Sequence, residues 1–188
     1  ALGGGYKTVY LNTNAHLCDK KHAYALYEFA EKIAVSVTVQ GDRANHDYFR
    51  GSGSYEKAVN GVDHLINRGI STDIFMPVGS MLSDTLAQTI DSLFRELPDI
   101  RSLFLIQMIR VPGDRRDLSP HLLSPKQFVR MCASAAGFSL AGLPVIVLDN
   151  PLANIVTGII GLSLPKSQAL MRQGRITLLA DSNLALAH

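Results

Sequence analysis

The sequence predicts an α/β fold, with parallel strands in a sheet and helices outside it. Three observations predict it. Short apolar runs rich in β-branched residues recur along the chain: KTVYLNTN, KIAVSVTVQG, STDIFMPV, SLFLIQMI and LPVIVL. Amphipathic stretches of helical period separate most of them. The runs are apolar at successive positions rather than alternating, as in strands covered on both faces. Repeated strand–helix–strand units then imply right-handed crossovers within one parallel sheet.

Each element has its own local reason. Lys7 to Asn14 reads as the first strand, after a glycine turn. Asp19 can cap a helix that places Ala23, Leu26, Tyr27 and Ala30 on one side. The second strand runs from Lys32 toward Gly41. A polar loop follows, carrying Asp42, Arg43, Asn45, His46, Asp47 and Arg50. Ser54 reads as the N-cap of the next helix, whose buried face is Tyr55, Val59, Val62, Leu65 and Ile66. Gly69 stands where a left-handed C-terminal residue is wanted.

Ser71 to Val78 is the third strand, with Pro77 near its end. Ser83 or Asp84 caps a helix that buries Leu86, Ile90, Leu93, Phe94 and Leu97. Ser102 to Ile109 is the fourth strand, followed by the polar loop RVPGDRRDLSPHL. Ser124-Pro125 is a cap plus a first-turn proline and opens a helix to Ala136. Leu143 to Leu148 is the fifth strand. After Asn150 the pattern loosens: Leu152 to Leu164 is apolar, and Arg175 to Ala180 reads as a short strand before a turn at Asp181-Ser182-Asn183. Residues 1–150 are therefore expected to form one domain, with 151–188 as a C-terminal extension.

Composition narrows the function. The chain has 188 residues, of which 47% are apolar, enough for a core in one domain. Net charge is +2 with no run of like charges and no Trp. That gives no electrostatic case for nucleic acid or a membrane surface, and no aromatic stripe for stacking bases. No stretch reaches the roughly 18 apolar residues of a membrane helix. Cys18 and Cys132 are too far apart in sequence for a metal motif. With no signal peptide in view, a reduced cytoplasmic protein is expected. Ala1-Leu2-Gly3-Gly4-Gly5 reads as the end of a helix and its turn, so a piece of a longer protein is expected.

The stretch from Lys32 to Gly69 carries a family resemblance. Thr38-Val39-Gln40-Gly41, His46-Asp47-Tyr48-Phe49-Arg50-Gly51 and Gly53-Ser54-Tyr55 stand in order. They resemble the S-x-D-G strand end, the H-D-x-x-R-G segment and the G-S-F helix start of radical S-adenosylmethionine (SAM) enzymes of the peptide-maturase, SPASM-like kind. Thr13-Asn14-Ala15 resembles the T-N-G end of the preceding strand. Departures are Thr38 for Ser, Gln40 for Asp and Ala15 for Gly. The resemblance runs from about Gly5 to at least Ser124. The segment GRITLLADSNLALAH is similar to the run-in to an auxiliary-cluster domain, with Ser182 for the glycine and Ala187 at the cysteine position.

The resemblance implies a partial, open (β/α) TIM-like barrel of parallel strands. It implies a parent enzyme in which a 4Fe–4S cluster cleaves SAM to a 5′-deoxyadenosyl radical that modifies a peptide or small substrate. It implies SAM contacts at Thr13, Asn14, Thr38 and Gln40, and Arg50 as a bidentate clamp for the SAM carboxylate. The cluster needs a C-x-x-x-C-x-x-C loop, and the family also carries a G-G-E-P loop. Neither motif is in this sequence. The chain alone is therefore expected to hold neither cluster nor SAM and to be inactive by itself. The alternative is a non-catalytic remnant domain that binds a peptide or a protein partner.

The residues themselves leave other readings open. Thr13 and Thr38 suit strands, and Asn14 suits a turn. Arg50 can pair with Asp47 or Asp42 instead of a ligand. His46-Asp47 can be a base and its orienter, or local hydrogen bonding. His16, His22, His64 and His121 show no ligand spacing. Arg110, Arg115 and Arg116 can meet an acidic substrate or simply form a solvated loop.

An unpaired edge at Lys7–Asn14 is expected to invite a partner. So is an apolar inner face of Val35, Val37, Ile74, Phe75 and Leu105 or their alternates. A homodimer, an N-terminal segment beyond this sequence, or Pro151 to Leu164 folded back would each cover them.

Overall fold

The computed structural model describes residues 7–110 and 117–148. The chain is α/β, with five parallel strands in the order β1-β2-β3-β4-β5. They are β1 (Val9–Thr13), β2 (Ile33–Thr38), β3 (Ser71–Val78), β4 (Ser102–Gln107) and β5 (Val145–Leu148). The helices are α1 (Lys20–Tyr27), α2 (Arg43–Arg50), α3 (Ser54–Ile66), α4 (Leu86–Glu96) and α5 (Pro125–Leu140). Spatial order follows chain order, so the sheet never reverses direction. A doubly wound nucleotide-binding sheet does reverse, at a switch point. This sheet is wound one way, like part of a (β/α) barrel.

Two compact units divide the described residues. The first comprises residues 7–76 and 88–103. Its strands pair in parallel with Thr13 opposite Val37, and with Ser36 opposite Asp73. Partners in a ladder share a face. One face is apolar: Val35, Val37 and Ile74 are all buried. Helix α3 packs on β2 and against α1, burying Ala58, Val62 and Leu65.

The opposite face of this unit is polar, with Tyr10, Asn12, Ser36 and Asp73 in its rows. This corrects the expectation of an apolar inner face for Val35, Val37 and Ile74, which lie on the opposite, apolar side; Phe75 does lie on this face, two residues along from Asp73. Asp73 is fully buried and receives Arg101, with Nε donating to Oδ1 at 2.8 Å and Nη2 to Oδ2. Nη2 also donates to the Tyr10 hydroxyl. The pair sits toward the amino ends of the strands, where a βα fold keeps stability rather than chemistry.

The second unit comprises residues 77–87, 104–110 and 117–148 among those described. Its main packing is α5 on β5, with Met131, Cys132, Ala135 and Ala136 buried. Ser124 makes a full capping box with Gln127, as the Ser-Pro start predicts. Gln127 Nε2 also donates to Ser83 Oγ, and Arg130 pairs with Asp84. Helix α4 starts only at Leu86, so neither Ser83 nor Asp84 stands at its N-cap. The segments 111–116 and 149–188 lie outside the described residues. With them go Arg115, Arg116 and the predicted Arg175–Ala180 strand.

Candidate functional site

The carboxyl ends of β1 and β2 lie side by side. Thr13 is the last residue of β1 and pairs with Val37, one residue before Thr38 at the end of β2. Parallel pairing alone puts both threonines at the same end of the sheet. Beyond Thr13 the chain turns sharply. Asn14 Oδ1 accepts from the His16 N–H at 3.2 Å, and Thr13 Oγ1 accepts from the Ala15 N–H at 3.1 Å. Ala15 has φ of +57°, the left-handed region. That geometry accounts for a glycine being suited to this position.

Beyond Thr38 the predicted polar loop is mostly helix. Asp42 caps α2 by accepting from the Asn45 N–H at 2.8 Å. The turn of α2 facing the strand end holds Gln40 at three points. Gln40 N–H donates to His46 Nδ1 at 2.9 Å, its carbonyl accepts from Asn45 Nδ2 at 2.6 Å, and its Oε1 accepts from Arg50 Nε at 2.9 Å. The Arg50 partner is therefore Gln40, not Asp47 or Asp42. Among the described residues no carboxylate pairs with Arg50.

Asp47 is committed elsewhere. It accepts from the Gly53 and Tyr55 N–H groups, both at 2.8 Å, and from the Ser54 hydroxyl at 3.1 Å. The Tyr55 and Gly53 amides hold its carboxyl below the ordinary carboxylate range. It does the work predicted for Ser54, which is the first helical residue rather than the cap. Gly53, with φ of +74°, is the cap. Local hydrogen bonding is thus the reading of His46-Asp47 that the geometry supports, and a base–orienter dyad is not formed. His46 is 1% exposed, and burial pushes its pKa down to about 4, with His16 and Arg50 adding to the effect.

A cavity of about 390 Å³ opens beside β1 on its apolar side. Leu11, Thr13, Asn14, Leu17, Leu26 and Leu65 are among the residues that line it. It takes in Thr13 and Asn14 but not Thr38, Gln40 or Arg50. Sequence reasoning placed Asn45 in the polar loop after β2 without a role of its own, and it missed His16 as part of this end of the sheet. The Asp42-x-x-Asn45 spacing of a capped helix was the signal available for Asn45. His22 is exposed and paired with Asp19, and Arg110 is exposed.

A 4Fe–4S cluster needs several convergent thiolates. Cys18 is half-buried and its thiol is pushed up by burial and Asp19. Cys132 is buried and pushed up to about 12. Among the described residues no three His, Cys, Asp or Glu side chains group as a metal site. The residues present do not fit a cluster. The donors and acceptors of an amino-acid site are present in two groups rather than one: Thr13 shares the apolar face with Val37, whereas Thr38 stands on the opposite face, and Gln40 and Arg50 bond each other beyond it.

A one-way wound parallel sheet with polar side chains at its carboxyl ends defines a (β/α)-barrel type of domain. No protein-family model matches the chain, and no curated protein matches it. Solved structures do. Native anSMEcpe with bound AdoMet and the Cp18Cys peptide has a TM-score of 0.62 at 20% identity, over 80% of this chain and 44% of that one. Native anSMEcpe with bound AdoMet gives the same score and identity, over 80% and 43%. The chain has the fold of part of anSMEcpe and spans less than half its length.

Proposed function

We propose that this chain is part of a radical SAM enzyme acting on a peptide or small substrate, and that it contributes residues to the AdoMet site. The observation that carries this reading is joint. A fold shared with a protein solved with bound AdoMet coincides with Thr13, Asn14, Thr38, Gln40 and Arg50 lying at the carboxyl ends of neighbouring strands. Ligands of βα folds bind at that end. When bound, AdoMet supplies the deoxyadenosyl group for radical chemistry. This chain's residues bind and orient: threonine and amide groups meet the amino-acid moiety, and Arg50 meets its carboxylate. The cluster is expected from thiolates outside this sequence, and a cytoplasmic setting suits it.

A second reading is a non-catalytic module that binds a peptide or protein. It is favoured by the Arg50–Gln40 hydrogen bond, in which two candidate ligand groups satisfy each other. Exposed Tyr10 on the edge strand β1, and exposed Leu17 in the turn after it, also suit a partner, either a second copy or a further segment.

Because firm AdoMet binding is not expected of the chain by itself, an amide-shift titration at millimolar AdoMet, which detects weak contact, separates the two. The first reading expects shifts confined to residues 13–16, 38–41 and 50, reduced in Arg50→Met. Shifts spread along β1 and α1 on adding a peptide, with none from AdoMet, would select the second.

A further inference from the structure

We propose that the space between His16 and His46 is a binding site for one internal water molecule, joining the carboxyl end of β1 to that of β2. Among the described residues, three buried side-chain polar atoms have no protein partner: His16 Nε2, Asn45 Oδ1 and His46 Nε2. All three belong to the two segments that follow β1 and β2. Buried polar atoms without protein partners are where internal waters are found.

The protonation of His46 follows from its other nitrogen. Nδ1 accepts the Gln40 N–H at 2.9 Å, so the neutral ring carries its proton on Nε2. Burial keeps that ring neutral. Nε2–H is then a donor in a fully buried position, and it requires an acceptor. The His16 ring lies 6.2 Å away between centroids, tilted by 53°. Ring nitrogens at that separation approach no closer than about 4 Å, beyond a direct hydrogen bond. One water making two bonds of about 2.9 Å spans up to about 6 Å, which bridges the two Nε2 atoms when they face each other. It accepts from His46 Nε2–H and donates to His16 Nε2, which places the His16 proton on Nδ1.

A divalent transition metal is the competing occupant, since two imidazoles suit one. Coordination through His46 Nε2 requires the proton on Nδ1 instead. That proton would face the Gln40 N–H, donor against donor. The Gln40 amide therefore selects water. The resulting chain runs from Gln40 N–H through His46 and the water to His16, and it adds a direct link between the turn after β1 and the segment after β2. This inference does not depend on what the domain binds.

Long-range proton–nitrogen correlation on the ¹⁵N-labelled full chain at neutral pH tests it. The expected result is the Nε2–H form for His46, the Nδ1–H form for His16, and a dipolar cross-peak from the His46 Nε2 proton to a long-lived water. His16→Phe should abolish that cross-peak while leaving His46 in the Nε2–H form. An Nδ1–H form of His46, absence of the water cross-peak in the wild type, or stoichiometric Zn²⁺ binding that perturbs both rings would overturn it.

Discussion

Gly61 passes directly against Ala15. A Cβ added to Gly61 would stand 2.2 Å from the Ala15 carbonyl oxygen and 2.8 Å from its Cβ. The first atom is backbone and cannot swing aside. Helix α3 therefore touches the turn after β1 through a residue with no side chain, and this contact sets how closely the helix approaches the strand end. Gly61→Ala would gain about 1 kcal/mol of helix propensity. Overpacking of this kind costs about 1–3 kcal/mol, and more against rigid backbone. A net loss of about 2 kcal/mol is expected in denaturant unfolding. Unchanged stability would show that the turn yields.

Ala15 has the opposite prospect. Its left-handed φ costs an L-residue about 1–2 kcal/mol, which glycine does not incur. Glycine's larger unfolded-state entropy returns about 0.4–1 kcal/mol of that. Ala15→Gly should stabilise the chain by about 0.5 kcal/mol. It should rescue Gly61→Ala only in part, because it removes the Ala15 Cβ and leaves the carbonyl oxygen in place. A double-mutant cycle with a coupling energy smaller than the Gly61→Ala loss checks this.

The Asp73–Arg101 pair should be costly to break and cheap to replace as a unit. Arg101→Leu leaves a fully buried carboxylate without its guanidinium, a loss of about 3 kcal/mol or more. Asp73→Asn with Arg101→Leu should lose much less. Urea midpoints of the single and double variants at neutral pH decide it. Equal losses would mean the pair itself contributes little.

His46 makes stability depend on pH. Its folded pKa is depressed to about 4 from 6.5, so between those values the unfolded chain binds more protons. Stability then rises with pH through that window and falls as pH drops from 6.5 toward 4. The shift corresponds to a loss on the order of 2–3 kcal/mol at the acid end. Asp47, also depressed, adds its own loss only below its unfolded value of 3.8. Unfolding free energies of the wild type and His46→Gln between pH 7 and 4 should diverge at neutral pH and converge toward pH 4.

Much of this arrangement was legible from periodicity. The five strands lie within the predicted runs: Ser71–Val78 as predicted, the others trimmed at their ends, as with Val9–Thr13 within Lys7–Asn14 and Val145–Leu148 within Leu143–Leu148. Strand runs end where pairing ends, and no local signal marks that residue. Helix α2 was missed because RANHDYFR has no apolar stripe. Its cap, Asp42, and its hold on Gln40 form it instead. The split between an apolar and a polar sheet face was not read from the sequence, where the runs looked apolar at successive positions, as in strands covered on both faces. In β2, IAVSVT buries nearly every residue, so the sequence could not say which alternate set faced the helices. Arg50 was visible as a cation near two carboxylates. Its bond to Gln40 depends on the path of α2, which sequence spacing does not encode.

The claim that AdoMet is held at the carboxyl ends of β1 and β2 has one direct test. A photoreactive AdoMet analogue is cross-linked to the full chain and the labelled residues are mapped by peptide mass spectrometry. The account predicts labelling at residues 13–16 and 38–41, suppressed by excess AdoMet and reduced several-fold in Arg50→Met. Labelling at the opposite end of the sheet, around Tyr10, Ser71 and Arg101, or labelling that excess AdoMet does not suppress, would contradict it.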